Sequence, residues 1–120
     1  MSTLKEPGPV KLFMSIIYCE RADTDGCIKK LEDEFGVTEY RGEIQEFDGT
    51  DYYQKEMGKG LRRIFLTFRK LVRRTDIVRV KTFTNKLEEV FSYGNKRMLN
   101  IDPGYIALEH IILATGKGYS

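Results

Sequence analysis

The sequence predicts a single α+β domain with a ferredoxin-like split βαβ arrangement, in which a mostly antiparallel four-stranded sheet carries two long helices on one face. Three kinds of segment predict it: an apolar run, alternating segments and stretches with apolar residues at helical spacing. Along the chain, these segments predict the order strand, helix, strand, strand, helix, strand. A length of 120 residues suits one domain, residues 1–120, with residues 1–9 as a loose lead-in.

The first half of the chain supplies a strand, a helix, a second strand and a short helix. Val10–Tyr18 is almost wholly apolar, which predicts a buried strand. A helix is predicted between the capping residue Asp23 and the terminating Gly36, because apolar residues recur there every three or four positions. Residues 37–47 alternate as a half-exposed strand does, and residues 50–57 suit a short helix.

The second half supplies two further strands and two further helices. Residues 61–71 alternate and predict the third strand, and a long helix is expected from residue 75 or 76 to residue 91. Residues 96–101 suit a short fourth strand. Asp102 followed by Pro103 predicts the start of a third helix, because a capping carboxylate and a proline favour the first turn; a strand is the runner-up.

Charge is unevenly distributed along the chain. Residues 1–60 hold 8 Lys and Arg against 13 Asp and Glu, whereas residues 61–120 hold 12 against 5. Between Lys59 and Lys81 there are nine bases and one acid, Asp76. Two interpretations stay open: the two halves neutralise each other in the fold, or the basic segment forms an anion-binding stripe.

Several classes of protein do not fit this composition. No apolar run approaches the roughly 18 residues that span a membrane, and the N-terminus lacks the apolar stretch of a signal peptide. Cys19 and Cys27 do not form a disulfide framework or a zinc site, and the single His110 excludes a histidine-rich metal site in this chain. We therefore expect a cytoplasmic protein without membrane contact and predict no metal ligands.

The segment FDGTDYYQKEMGKGLRRIFLTF, residues 47–68, is not explained by packing alone. It combines acids, phenols, small residues and bases, and a glycine-flanked turn precedes a pair of arginines whose planar forks match phosphate or carboxylate. We expect it to converge with residues 100–105 on one pocket for a small anionic ligand, such as a nucleotide or phosphate ester. The candidate ligand-binding residues are Asp48, Asp51, Tyr52, Tyr53, Lys59, Arg62, Arg63, Asn100, Asp102 and Tyr105.

Three motifs together, GPVKLF, the 47–68 segment and NIDPGY, resemble a bacterial family known as domain of unknown function 4416. The resemblance covers Gly8 to about Thr115. In the family the middle motif is usually close to FDFTDYYEKEMG, so Gly49 stands where an aromatic residue is common. Family members continue into further strands, so the resemblance implies that this chain is a fragment lacking them. The family has no established activity, although some members carry a GTP-binding label.

A P-loop GTPase does not fit the sequence. The phosphate loop G-x-x-x-x-G-K-[ST] would need glycine where Tyr53 or Ile111 stands. No cofactor is identified, and the sequence leaves open whether the protein is an enzyme.

Three other functions remain as alternatives to anion binding. An RNA-binding module would display Phe65, with Arg63 and Arg69, on the exposed face of the sheet. A metal-assisted hydrolase would gather carboxylates around a Mg²⁺-like ion, although these residues also suit turns and helix caps. A structural or partner-binding domain would present an exposed apolar patch. The carboxylates in question are Asp48, Asp51, Glu56 and Asp102.

Overall fold

The computed structural model describes residues 8–47 and 51–107, apart from the side chain of Asp51, and they form a five-stranded sheet with three α-helices. This confirms the predicted α+β class. The elements are β1 Val10–Tyr18, α1 Thr24–Phe35, β2 Thr38–Arg41, β3 Gln45–Glu46, α2 Asp51–Met57, β4 Arg62–Val72, α3 Ile77–Val90 and β5 Leu99–Ala107, with a 3₁₀ turn at Arg74–Asp76.

The sheet has the order β2–β4–β1–β5, and β3 also pairs with β4. Every pairing is antiparallel. β1 is therefore central, with β4 on one side and β5 on the other. Ile16 lies opposite Ile64 of β4 and Ile101 of β5, so these three residues share one face of the sheet. We call this the first face, and the opposite one, which carries Phe13 and Ser15, the second face.

The main core lies between the first face and helices α1 and α3. Phe35 of α1 meets Phe68 of β4 edge-on at 6.1 Å and Phe83 of α3 at 5.3 Å between ring centroids. Both helices therefore pack against the first face through the apolar stripe that their spacing predicts. The buried members of this core are Leu12, Met14, Ile16, Tyr18, Cys27, Ile28, Leu31, Phe35, Ile64, Leu66, Phe68, Val80, Leu87, Leu99 and Ile101.

Helix α1 begins and ends as its sequence predicts. The Asp23 side chain accepts a hydrogen bond from the backbone N–H of Gly26 at 3.0 Å, which caps the first turn. Gly36 has φ +96°, a backbone conformation that favours glycine, and its N–H bonds to the carbonyl of Glu32.

A second, smaller core forms where α2 packs on the second face. Ile17 of β1 and Met57 of α2 are buried there, together with Cys19 and Leu61. Tyr53 of α2 also packs against this cluster. The short helix expected at residues 50–57 is present as Asp51–Met57, whereas its expected caps, residues 48 and 50, lie outside the described residues.

The continuous strand expected over residues 37–47 is corrected to two short strands, β2 and β3. The N–H of Gly42 still bonds to the carbonyl of Phe65 at 2.8 Å, but residues 43 and 44 leave the ladder before Gln45 pairs with Arg63. Gly42 brings no side chain to hold the strand, and glycine weakens strand interiors. The sheet consequently has five strands rather than the expected four.

The helix start expected at Asp102 and Pro103 is wrong, because both residues lie within β5. Ile101 points its N–H and carbonyl away from β1, toward side chains of α3. Backbone groups alternate in direction along a strand, so the nitrogen of Pro103 also faces away from β1 and no ladder bond is lost. Tyr105, expected on the same helix, is in β5 as well, and the remainder of that helix falls outside the described residues.

Stability should depend on the first-face core far more than on the rim of the sheet. Leu66 is fully buried, so Leu66→Ala should lower the free energy of unfolding by about 2–5 kcal/mol through lost burial and the cavity left behind. Leu71 is 37% exposed on the same strand, so Leu71→Ala removes the same atoms with a smaller cost. Urea denaturation measures both, and equal losses would contradict the assignment of the core.

Candidate functional site

A surface cleft of about 680 Å³ lies at one end of the molecule, between the end of β1, helix α2 and the turn that joins α3 to β5. Its floor is apolar: Cys19, Met57 and Met98 belong to or pack against the small core, and the Cys19 Sγ lies 3.2 Å from the Met98 Sδ. Its lining residues are Cys19, Glu20, Arg21, Gln54, Lys55, Glu56, Met57, Gly58, Lys59, Tyr93, Gly94, Asn95, Lys96 and Met98.

Four exposed cations surround this cleft: Arg21, Lys55, Lys59 and Lys96. Within the part of the chain that the structure describes, none of them forms an ion pair. The Arg21 guanidinium lies over the Tyr93 ring, 5.5 Å from its centroid. The cleft therefore presents four positive charges without an ion pair, against one carboxylate, Glu20, that also has no ion pair among the described residues.

The carboxylate of Glu56 lines the cleft but is held by Arg97. The Arg97 Nη2 donates to Glu56 Oε1 at 2.9 Å, its Nε lies 3.1 Å from both carboxylate oxygens, and its backbone N–H donates to Oε2 at 2.7 Å. The hydrogen bond from Arg97 lowers the pKa of Glu56, and the same bond raises the pKa of Arg97. Glu56 is thus neutralised in place, which leaves the cations of the cleft in excess.

Arg97 also connects the cleft to β5. Its Nη1 donates to the Asn100 side-chain oxygen at 2.8 Å, and the Asn100 amide donates to Asp102 Oδ2 at 3.2 Å. The Lys81 Nζ lies 3.6 Å from Asp102 Oδ1. With Glu56 included, five residues on three elements and a connecting turn are therefore joined in one chain of polar contacts, which fixes the position of Arg97.

Glu88 completes this network from the buried side of α3. Its Oε2 accepts a hydrogen bond from the backbone N–H of Ile101 at 2.6 Å, and its Oε1 lies 3.6 Å from Arg97 Nη1. Burial raises the pKa of Glu88, although the bond to Ile101 and the charge of Arg97 act in the opposite direction. The carboxylate thus accepts from the N–H of Ile101, a backbone donor on the outer side of β5 that points away from β1.

The structure distributes the predicted ligand residues rather than gathering them all in this cleft. Lys59 lines it. Asn100 and Asp102 reach it only through Arg97, as described above. Arg62 lines a separate pocket of about 230 Å³ with Glu46.

The remaining predicted residues lie elsewhere or outside the described part. Arg63 and Tyr53 contact the ring of Phe47, and Tyr52 is 70% exposed beside Tyr53. Tyr105 is 40% exposed on β5. Asp48 lies outside the described residues, and of Asp51 only the backbone, at the start of α2, is described.

Sequence reasoning missed Arg97 and Glu88, although Glu88 carried a signal. It stands one residue after Leu87 and four after Thr84, inside the stripe of α3 that faces the core. A carboxylate at such a position must find partners, because an unpaired buried charge is costly. Arg97 offered no comparable sign, since its role depends on where the preceding turn places it.

The described residues contain no group of three His, Cys, Asp or Glu side chains that could hold a metal ion. Within the same residues, no helix is both long and apolar enough to cross a membrane.

Comparison with known families places this geometry in context. The family model described as domain of unknown function (DUF4416) matches residues 8–120. The chain belongs to this family. No similar curated protein and no similar solved structure was found.

The Glu56–Arg97 contact should make stability depend on acid pH. The pKa of Glu56 is lowered in the folded state, so its contribution is present above the ordinary carboxyl pKa of about 4.3 and is lost as pH falls through the folded value. Glu56→Gln should cost about 1–2 kcal/mol at pH 7 and flatten the decline of stability below about pH 4. Urea titrations at several pH values measure this, with the exposed Glu89→Gln as control; parallel pH profiles for wild type and Glu56→Gln would contradict it.

The edge bond of Glu88 gives a second stability prediction. Glu88→Ala leaves the Ile101 N–H without its acceptor and should cost about 1–3 kcal/mol. Glu88→Gln keeps an acceptor oxygen and removes a buried charge, so its cost should be clearly smaller. Hydrogen exchange of the Ile101 amide should accelerate in the alanine variant alone; equal protection in both variants would contradict the assigned bond.

Proposed function

We propose that this domain binds a small anionic ligand, such as a nucleotide or phosphate ester, in the cleft between α2 and the turn at residues 93–98. The observation that carries this proposal is the set of four exposed cations around an apolar floor, which form no ion pair among the described residues. Of the two carboxylates in the cleft, Glu56 is neutralised by Arg97, so the cations outnumber the remaining one, Glu20. Such a cleft has a positive potential that attracts anions. Its volume also falls in the range of small-molecule sites, roughly 300–1,000 Å³.

The four cations of the cleft differ in their position and in how firmly their charged groups are held. Lys55 and Lys59 lie on and just after the last turn of α2, and Lys96 lies on the turn across the cleft. Their ammonium groups act as point charges that can follow a flexible phosphate. Arg21 is held over Tyr93, so its planar fork is already oriented. Two walls of the cleft thus supply charge from opposite sides, which suits a compact ligand with several oxygens.

The site in this proposal differs in part from the site that the sequence predicts. It keeps Lys59 and adds Arg21, Lys55 and Lys96. Asn100 and Asp102 act indirectly, because they hold Arg97, and Arg97 holds Glu56.

We also propose that the fold is the ferredoxin-like split βαβ arrangement. The order β2–β4–β1–β5 and the packing of α1 and α3 on one face support it. β3 and α2 are additions that lie between β2 and β4 along the chain. A cytoplasmic location is part of the same proposal. Its support is that Cys19 and Cys27 are buried free thiols, as expected in a reducing compartment.

Ligand binding should raise the thermal stability of the full chain. We would screen inorganic phosphate, a nucleoside triphosphate and a sugar phosphate; a ligand at about a hundredfold excess over its dissociation constant adds about 2.7 kcal/mol. The double variant Lys59→Ala/Lys96→Ala should lose this stabilisation because it removes charge from both walls of the cleft. Lys30→Ala is the control, since Lys30 is an exposed lysine on α1 away from the cleft.

Two outcomes would contradict the proposal. Stabilisation that persists in the double variant would place the ligand elsewhere. No stabilisation of a folded sample by any of the three compounds would remove the anion site and favour a structural or partner-binding domain. The RNA alternative depends on a different surface, the second face of the sheet.

A further inference from the structure

The second face of the sheet carries two phenylalanines on its two central strands, away from the cleft. Phe13 of β1 lies opposite Thr67 of β4, and Ser15 of β1 lies opposite Phe65 of β4. The two rings are therefore diagonal neighbours, a spacing within reach of aromatic side chains. Helices α1 and α3 pack on the other face, and both rings are only half-buried.

The ring of Phe13 leans over Gly104 of the neighbouring strand β5. Gly104 of β5 is its cross-strand partner, and a Cβ at Gly104 would be 2.7 Å from Phe13 Cε1. Any other residue at position 104 would displace the ring, because such a contact is far closer than carbon atoms tolerate. Glycine at this position thus leaves room for the Phe13 ring over β5.

Arg63 lies on the same face with its guanidinium stacked on aromatic rings. Its Cζ is 4.8 Å from the centroid of Phe65 and 5.2 Å from that of Phe47. Within residues 8–47 and 51–107 it has no ion pair, and its Nε is enclosed without a hydrogen-bond partner. A held cation with an unused fork suits a phosphate, and its plane adds to the stacking surface.

The charge of this face is positive because its acids are already paired. Glu39 forms an ion pair with Lys11, and Asp102 lies 3.6 Å from the Lys81 Nζ. Arg63 has no ion pair among the described residues. The exposed Arg69 on the same strand shares Glu39 with Lys11, since its charge also helps to lower the pKa of Glu39, so two bases face one acid there. Aromatic rings between two separated cations match the alternation of bases and phosphates along a single strand.

We propose that this second face binds single-stranded RNA. Unpaired bases stack on Phe13 and on the Arg63 guanidinium that covers Phe65, and Arg69 contacts backbone phosphates. The hydroxyl groups of Ser15 and Thr67 lie beside the two rings and provide partners for the ribose 2′-OH, which distinguishes RNA from DNA. This surface shares no residue with the lining of the anion cleft, so the proposal stands independently of the function proposed above.

Fluorescence anisotropy of the full chain tests this proposal. The probe is a labelled pool of random single-stranded RNA about ten nucleotides long. Phe13→Leu/Phe65→Leu keeps apolar side chains but removes the rings, and should weaken binding by about tenfold or more. Tyr52→Leu is the matched control, because Tyr52 is 70% exposed on α2 and lines neither the cleft nor this surface; it should bind as the wild type does. Arg69→Gln should reduce the salt dependence of the affinity.

Further binding measurements distinguish single-stranded RNA from other nucleic acids and the second face from the cleft. Equal affinity for a single-stranded DNA pool of the same length would overturn the assignment to RNA, and preference for double-stranded RNA would overturn stacking. Weakening by Lys59→Ala/Lys96→Ala but not by Phe13→Leu/Phe65→Leu would move the nucleic acid to the cleft and also overturn it, as would no binding by the wild type.

A measurement on the wild type guards against a variant that fails to fold. Ultraviolet cross-linking to RNA that contains 4-thiouridine, followed by mass spectrometry, should label peptides containing Phe13 or Phe65. Cross-links confined to other peptides would overturn the proposal.

Discussion

The central position of β1 is the constraint on which the rest of the structure depends. It pairs with β4 on one side and with β5 on the other, from Val10 to Tyr18. Its alternating side chains therefore supply both faces: Leu12, Met14 and Ile16 enter the core beneath α1 and α3, while Phe13 and Ser15 lie on the second face. A strand buried between two neighbours reads as a nearly continuous apolar run, and this one does. A one-residue slip of β1 would exchange the two sets and disrupt both faces.

The free edge of β5 explains the polar network beside the cleft. An edge strand leaves backbone donors and acceptors without a ladder partner, and α3 supplies them through Glu88 and Lys81 at Ile101. Burying the Glu88 carboxylate requires a nearby cation, and Arg97 provides it. Arg97 then has its remaining donors available for Glu56. The neutralisation of Glu56 in the cleft is thus linked to how the sheet edge is satisfied.

The elements that local signals determine were predictable from the sequence, and the parts that depend on distant contacts were not. β1 and α1 have their predicted bounds because an apolar run, a capping aspartate and a terminating glycine act within a few residues of each other. Asp102 and Pro103 carry the local signal of a helix start, yet pairing with β1 overrides it and the edge position tolerates the proline. The residues of the cleft were predictable only in part. Lys59 lies in the conspicuous 47–68 segment, whereas Arg21 and Lys96 reach the cleft from turns whose positions only the fold determines.

The charge asymmetry of the chain now has a physical account that combines both interpretations. Among the described residues, the ion pairs of Arg79 with Glu34 and of Arg97 with Glu56 join the acidic first half to the basic second half. Others stay within one half, such as Lys81 with Asp102. Neutralisation across the halves is therefore partial. Some of the remaining basic residues lie in two places: Lys59 and Lys96 border the cleft, and Arg63 and Arg69 lie on the sheet. Arg63 and Arg69 do not line the cleft, so each group acts on its own ligand. Variants in one group should therefore leave binding at the other unchanged.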